Sequence, residues 1–105
     1  MRAPSNIRKE DSRVKLGPTT LDNGAVYEGE WCKGKRDGKG IMTQADGSKY
    51  DGEFVEDMCH GHGILNYANG DSYSGEWFQD RKHGQGKYIH ANGVKYTGQW
   101  VDGKE

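Results

Sequence analysis

Residues 24–102 repeat every 23 positions without a gap, and this period constrains the fold more than any other property of the chain. Gly24, Gly47, Gly70 and Gly93 open the units. Tyr27, Tyr50, Tyr73 and Tyr96 follow, then Gly29, Gly52, Gly75 and Gly98. Glu30, Glu53, Glu76 and Gln99 come next, and directly after them Trp31, Phe54, Trp77 and Trp100. Each complete unit closes on Gly-x-Gly, at Gly38/Gly40, Gly61/Gly63 and Gly84/Gly86. A fixed period of this size marks a modular array whose units bury surface against their neighbours. Such arrays bind or bridge far more often than they catalyse.

Within a unit the pattern is that of extended chain. Alternation along Tyr27-Glu28-Gly29-Glu30-Trp31 puts Tyr27, Gly29 and Trp31 on one face and the two glutamates on the other. Gly38, Gly40 and Met42 share a face in the second segment. Glycine inside a strand is unfavourable unless something approaches the backbone closely. A ring of each Tyr or Trp lying over a glycine of the next strand supplies that reason. Asp46-Gly47, Asn69-Gly70 and Asn92-Gly93 predict tight type I′ hairpins. The other connections, residues 32–37, 55–60 and 78–83, read as longer charged turns. Each unit is then a hairpin, and the fold class is all-β: an elongated single-layer antiparallel sheet. Frequent glycine and the absence of a 3.6-residue period argue against helix.

Composition agrees with a thin sheet. Apolar residues make up 31% and charged residues 30%, too little aliphatic material for a two-layer core. A net charge of −1 implies no attraction to nucleic acid. Cys32 and Cys59 fall at different repeat positions, so they read as free thiols, suited to a reducing, cytoplasmic compartment. No apolar run exceeds three residues, which argues against a signal peptide or a spanning helix. Residues 1–22 lack the period. With Arg2, Arg8, Lys9, Arg13 and Lys15 against Glu10, Asp11 and Asp22, they read as a flexible basic leader, loose or ordered by a partner.

The strings Asn23-Gly-Ala-Val-Tyr-Glu-Gly-Glu-Trp31, Asp71-Ser-Tyr-Ser-Gly-Glu-Trp77 and Arg81-Lys-His-Gly-Gln-Gly86 resemble MORN repeats (membrane occupation and recognition nexus). The resemblance covers residues 23–105, as units 23–45, 46–68, 69–91 and a partial 92–105. It implies a twisted antiparallel β-array used as scaffold, dimerisation element or binding platform. Similar proteins are associated with cytoskeletal assemblies, including ciliary axonemes, and with membrane junctions, and similar repeats sit beside enzyme domains. Phe54 and Gln99 depart mildly from the pattern. The fourth unit lacks its Gly-x-Gly strand, as in an array that continues, or one whose last strand offers an edge for edge-to-edge pairing.

The aromatic stripe of Tyr27, Trp31, Tyr50, Phe54, Tyr73, Trp77, Tyr96 and Trp100 is the leading partner-binding candidate. The plain alternative is that these rings are the packing of the fold. Lys33, Lys35, Arg36, Arg81 and Lys82 are where anionic lipid headgroups would bind, but Glu56 and Asp57 interrupt them and disfavour membrane contact. Cys59, His60 and His62 invite a metal reading, which the repeat register argues against because no second ligand pair follows. No nucleophile is paired with a base, and no cofactor motif is present, so the expectation is a non-enzyme with neither metal nor cofactor. The leading function is a scaffold or adaptor for other proteins in a cytoskeletal assembly, with a cilium or flagellum axoneme as the setting. The alternatives are a peripheral module for anionic phospholipid and a regulatory repeat segment of a larger enzyme.

Overall fold

A computed structural model describes residues 12–104. Eight strands run in chain order through one open antiparallel sheet: β1 Val14–Thr20, β2 Val26–Cys32, β3 Lys35–Thr43, β4 Lys49–Val55, β5 Met58–Asn66, β6 Ser72–Phe78, β7 Arg81–Ile89 and β8 Lys95–Trp100. The described residues contain no α-helix. Each strand pairs only with the strands before and after it in sequence, which is what a 23-residue hairpin repeat dictates.

The register aligns the glycines. Gly29 faces Gly40, Gly40 faces Gly52, and the row continues through Gly63, Gly75 and Gly86 to Gly98. Directly opposed residues of an antiparallel sheet point to the same face. A furrow without side chains therefore crosses the sheet, and the tyrosines fill it. A Cβ at Gly40 would strike the Tyr27 ring, one at Gly63 the Tyr50 ring and one at Gly86 the Tyr73 ring. The ring-over-glycine ladder expected from the sequence is present for these tyrosines.

Its expected extension to the first glycine of each Gly-x-Gly is not. Glu30 alone spans residues 37–39 of the opposite strand, because the pairing slips between Gly29 and Trp31. The carboxylate of Glu30, not a ring, lies against Gly38, and Glu53 and Glu76 do the same at Gly61 and Gly84. Glu30 Oε1 accepts the Lys39 amide at 2.7 Å. These glycines sit at φ +104°, +69° and +66°, a bulge conformation that a side chain would strain.

The turn assignment is also reversed. The tight type I′ turns are those within a unit: Lys33-Gly34, Glu56-Asp57, Gln79-Asp80 and Asp102-Gly103 all have positive φ at both central residues. The Asp/Asn-Gly turns have positive φ only at glycine. There Gly47 donates to the Gln44 carbonyl and Gln44 to the Ser48 carbonyl, the signature of a type I turn followed by a glycine bulge. Asp46, Asn69 and Asn92 each accept the amide two residues on, so the side chain selects this turn.

Part of the presumed leader belongs to the sheet. Residues 14–20 form β1, which pairs with β2 from Val14–Trp31 to Thr20–Val26. Gly17 lies 23 residues before Gly40, so β1 is a worn copy of β3, its period obscured by Pro18 and a slip between Leu16 and Thr19. Arg13 fastens it: Nε and Nη2 donate at 2.9 and 2.8 Å to the buried carboxylate of Asp37, whose second oxygen accepts the Glu56 amide. The flexible character expected for residues 1–11 lies outside the described residues.

Candidate functional site

All eight aromatic candidates are brought together. They form one zigzag of edge-to-face contacts in the order Trp31, Tyr27, Phe54, Tyr50, Trp77, Tyr73, Trp100, Tyr96, with centroids 5.0 to 5.4 Å apart. This is the T-shaped geometry that ring quadrupoles favour. Each tyrosine hydroxyl donates to the carbonyl three residues on, from Tyr27–Glu30 at 2.7 Å to Tyr96–Gln99 at 2.9 Å. Trp77 and Trp100 donate Nε1 to the carbonyls of Gly63 and Gly86 on the preceding strand. The zigzag thus links rings across units while hydrogen bonds pin each ring to backbone.

The rings are core. Tyr27, Tyr50, Phe54, Tyr73, Trp77 and Trp100 are buried, and only Trp31 and Tyr96 are partly exposed. Packing leaves Trp77 and Trp100 little accessible surface, and of the eight rings only Trp31 and Tyr96, at the two ends of the zigzag, keep some. At Trp31 the pattern breaks. Its Nε1 is buried without a hydrogen-bond partner, because the slip in β1 carries Gly17 out of the place that Gly63 and Gly86 hold in later units.

Burial raises the tyrosine hydroxyls. Tyr27 rises to about 12, with Arg36 opposing the shift, and Tyr73 rises to about 12 with the charge of Glu76 adding to burial. Tyr50 and Tyr88 shift in the same direction, again chiefly through burial. Cys59 is pushed up to about 12 by burial and by the neighbouring Asp80 carboxylate, so it stands as a neutral thiol. Cys32 and Cys59 are both free.

The basic residues do not gather into a cationic edge. Lys35 pairs with Glu56 at 3.8 Å, and Arg81 with Asp102 at 3.6 Å. Arg36 donates to Asp57 Oδ1 at 3.0 Å and lies over the Phe54 ring. Lys82 turns inward, its ammonium 5.4 to 5.9 Å from the centroids of Tyr67, Tyr73, Trp77, Tyr88 and Trp100. Lys33 is exposed at its turn. The acids beside these cations lower the field that would draw an anionic headgroup. His60 and His83 flank the Phe78 ring instead of converging on a common point with Cys59.

Sequence patterning passed over the residues that stitch one unit to the next. Asp57 accepts the Arg36 amide while its own amide donates to the Arg36 carbonyl, so consecutive tight turns are clipped together. Asp80 repeats the clip at Cys59. At the other edge Ser48 reaches Ala68, and Asp71 reaches both Ala91 and the Tyr88 hydroxyl. The separations of 17 to 21 residues, just under one period, were the available signal.

A meander of similar hairpins, held by rings and turn clips between neighbours, defines a tandem β-hairpin repeat array. The MORN repeat family matches residues 27–49, 50–72, 73–95 and 96–105. The chain belongs to the MORN-repeat family, whose repeats are typically modules for contact with proteins or membranes. A comparison with curated proteins gives no match.

Proposed function

We propose that the chain is a non-enzymatic structural adaptor that joins other proteins in a cytoplasmic, cytoskeletal assembly, with a ciliary or flagellar axoneme as its setting. The observation that carries the reading is the zigzag of rings. It lets a single layer stay ordered without a second sheet, and so leaves the opposite face to partners. Lys39, Asp51, Glu53, His62, Ile64 and Ser74 line a shallow depression on that exposed face. β1 and β8 are the edges of the described sheet, and pairing of a partner strand along β8 would extend it. The setting is an analogy with the family, and the pairing of Lys35, Arg36 and Arg81 with acids favours it over phospholipid binding.

The test is sedimentation of the purified chain with salt-washed axonemes, beside flotation with phosphatidylserine vesicles. Saturable binding to axonemes supports the adaptor. Binding to vesicles alone, falling as salt rises, moves the function to the membrane.

A further inference from the structure

Arg36, Cys59 and Lys82 occupy one position of the repeat, 23 residues apart. In the first and third units this position carries a long cation that turns onto the rings: Arg36 lies 5.6 Å from the Phe54 centroid, and Lys82 faces five rings, among them Trp100 at the equivalent distance along the chain. In the middle unit the side chain is a short thiol. The space that Lys82 fills has a counterpart there, a cavity of about 300 Å³. Moved back by one repeat, Tyr67, Tyr73, Trp77, Tyr88 and Trp100 become Gln44, Tyr50, Phe54, Leu65 and Trp77, and all five line this cavity with Cys59 itself. Met42, Asp57, Asp80 and Arg36 complete the wall.

The carboxylates set the charge that the cavity favours. Asp57 accepts the Arg36 amide at 2.8 Å and then pairs with the Arg36 guanidinium. Asp80 accepts the Cys59 amide at 2.7 Å in the same way, but no cation follows, and among the described residues it forms no ion pair. Arg36 and Asp57 cancel, so Asp80 leaves the cavity with one uncompensated negative charge beside the Tyr50, Phe54 and Trp77 rings. Aromatic faces and a carboxylate together are complementary to a cation.

We propose that the cavity at Cys59 is a docking pocket for a lysine side chain of a partner protein, which enters as Lys82 does one unit later. The methylene stem lies along Met42 and Leu65, and the ammonium meets the rings and the Asp80 carboxylate. This specifies a contact of the adaptor and rests on that reading only for the occupant being a protein.

The probe is n-butylammonium, which reproduces the end of a lysine side chain, titrated into the intact chain and followed by the Trp77 indole and Cys59 amide signals in nitrogen–proton correlation spectra. The expected result is a saturable shift of both signals, with affinity about tenfold above that for neutral 1-pentanol, the scale of a partly desolvated cation–π contact. Cys59→Lys supplies the cation internally and should abolish the response while the spectrum stays folded. Asp80→Asn keeps an oxygen for the Cys59 amide, removes the charge and should weaken binding. Equal affinity for pentanol, or no shift at Trp77, would overturn the proposal. So would tighter binding of butyltrimethylammonium, which would reassign the pocket to quaternary ammonium ligands. Failure here with axoneme binding intact would remove the pocket and leave the adaptor standing.

Discussion

The hydroxyl of Tyr50 donates to the carbonyl of Glu53 at 2.8 Å, and this bond holds the ring flat across Gly63 of the next strand. The tyrosine is fixed at both ends, by its own strand and by the zigzag, so it has little room to yield.

Gly63→Ala should therefore cost about 1–3 kcal/mol, the range for forcing volume into a packed site. The measurement is the urea midpoint at constant slope. Gly17→Ala is the control, because a Cβ there meets nothing within 4 Å. It should be neutral or slightly stabilising, through a less disordered unfolded chain.

The indoles should not be equivalent. Trp77→Phe removes the 3.1 Å bond from Nε1 to the Gly63 carbonyl, and the carbonyl is then left buried. The loss should exceed that of Trp31→Phe by about 1 kcal/mol, because Trp31 Nε1 has no partner to lose. Chemical denaturation of the two variants, compared with the parent, checks the difference.

Arg13→Ala removes the two Arg13 donors from the Asp37 carboxylate, which is 1% exposed. A destabilisation of about 3 kcal/mol is expected, the scale of breaking a buried pair by one partner. Arg13→Ala with Asp37→Asn should recover part of the loss. Hydrogen exchange of the β1 amides should rise sharply in the single variant and less in the double.

Alkaline pH should dissolve the core. Tyr27 and Tyr73 have ordinary values of 10.0 and rise to about 12 in the fold, and Cys59 rises from 9.0 to about 12. Folded groups hold their protons more tightly than unfolded ones, so their contribution is fully present below pH 9 and is lost as pH climbs toward 12. Thermal midpoints measured from pH 7 to 12 should be flat at first and then fall, with tyrosinate absorbance appearing alongside unfolding.

Strands β2 to β8, their order, the units and the tyrosine-over-glycine contacts were legible because a period multiplies each weak signal. The turns were misread for a physical reason. Asn-Gly and Asp-Gly favour left-handed backbone, but they suit the glycine-bulge turn as well as type I′, and Glu56-Asp57 and Gln79-Asp80 give little hint of two consecutive positive φ angles. β1 was missed because Pro18 displaces Gly17 from the register that marks Gly40. At the site, the eight rings were identified, but no sequence pattern tells whether a ring faces outward or closes on its neighbour. The Arg36, Cys59, Lys82 position carried no motif at all, and its meaning emerges only when three copies of one environment are set side by side.

Each ring in the zigzag touches only rings of its own unit and of one adjacent unit, so no ring is shared by the whole array. An unfoldase drawing on either terminus would therefore meet a series of similar small barriers instead of one global one. Such a chain should be dismantled strand by strand, leaving shorter arrays still folded behind the point of pulling.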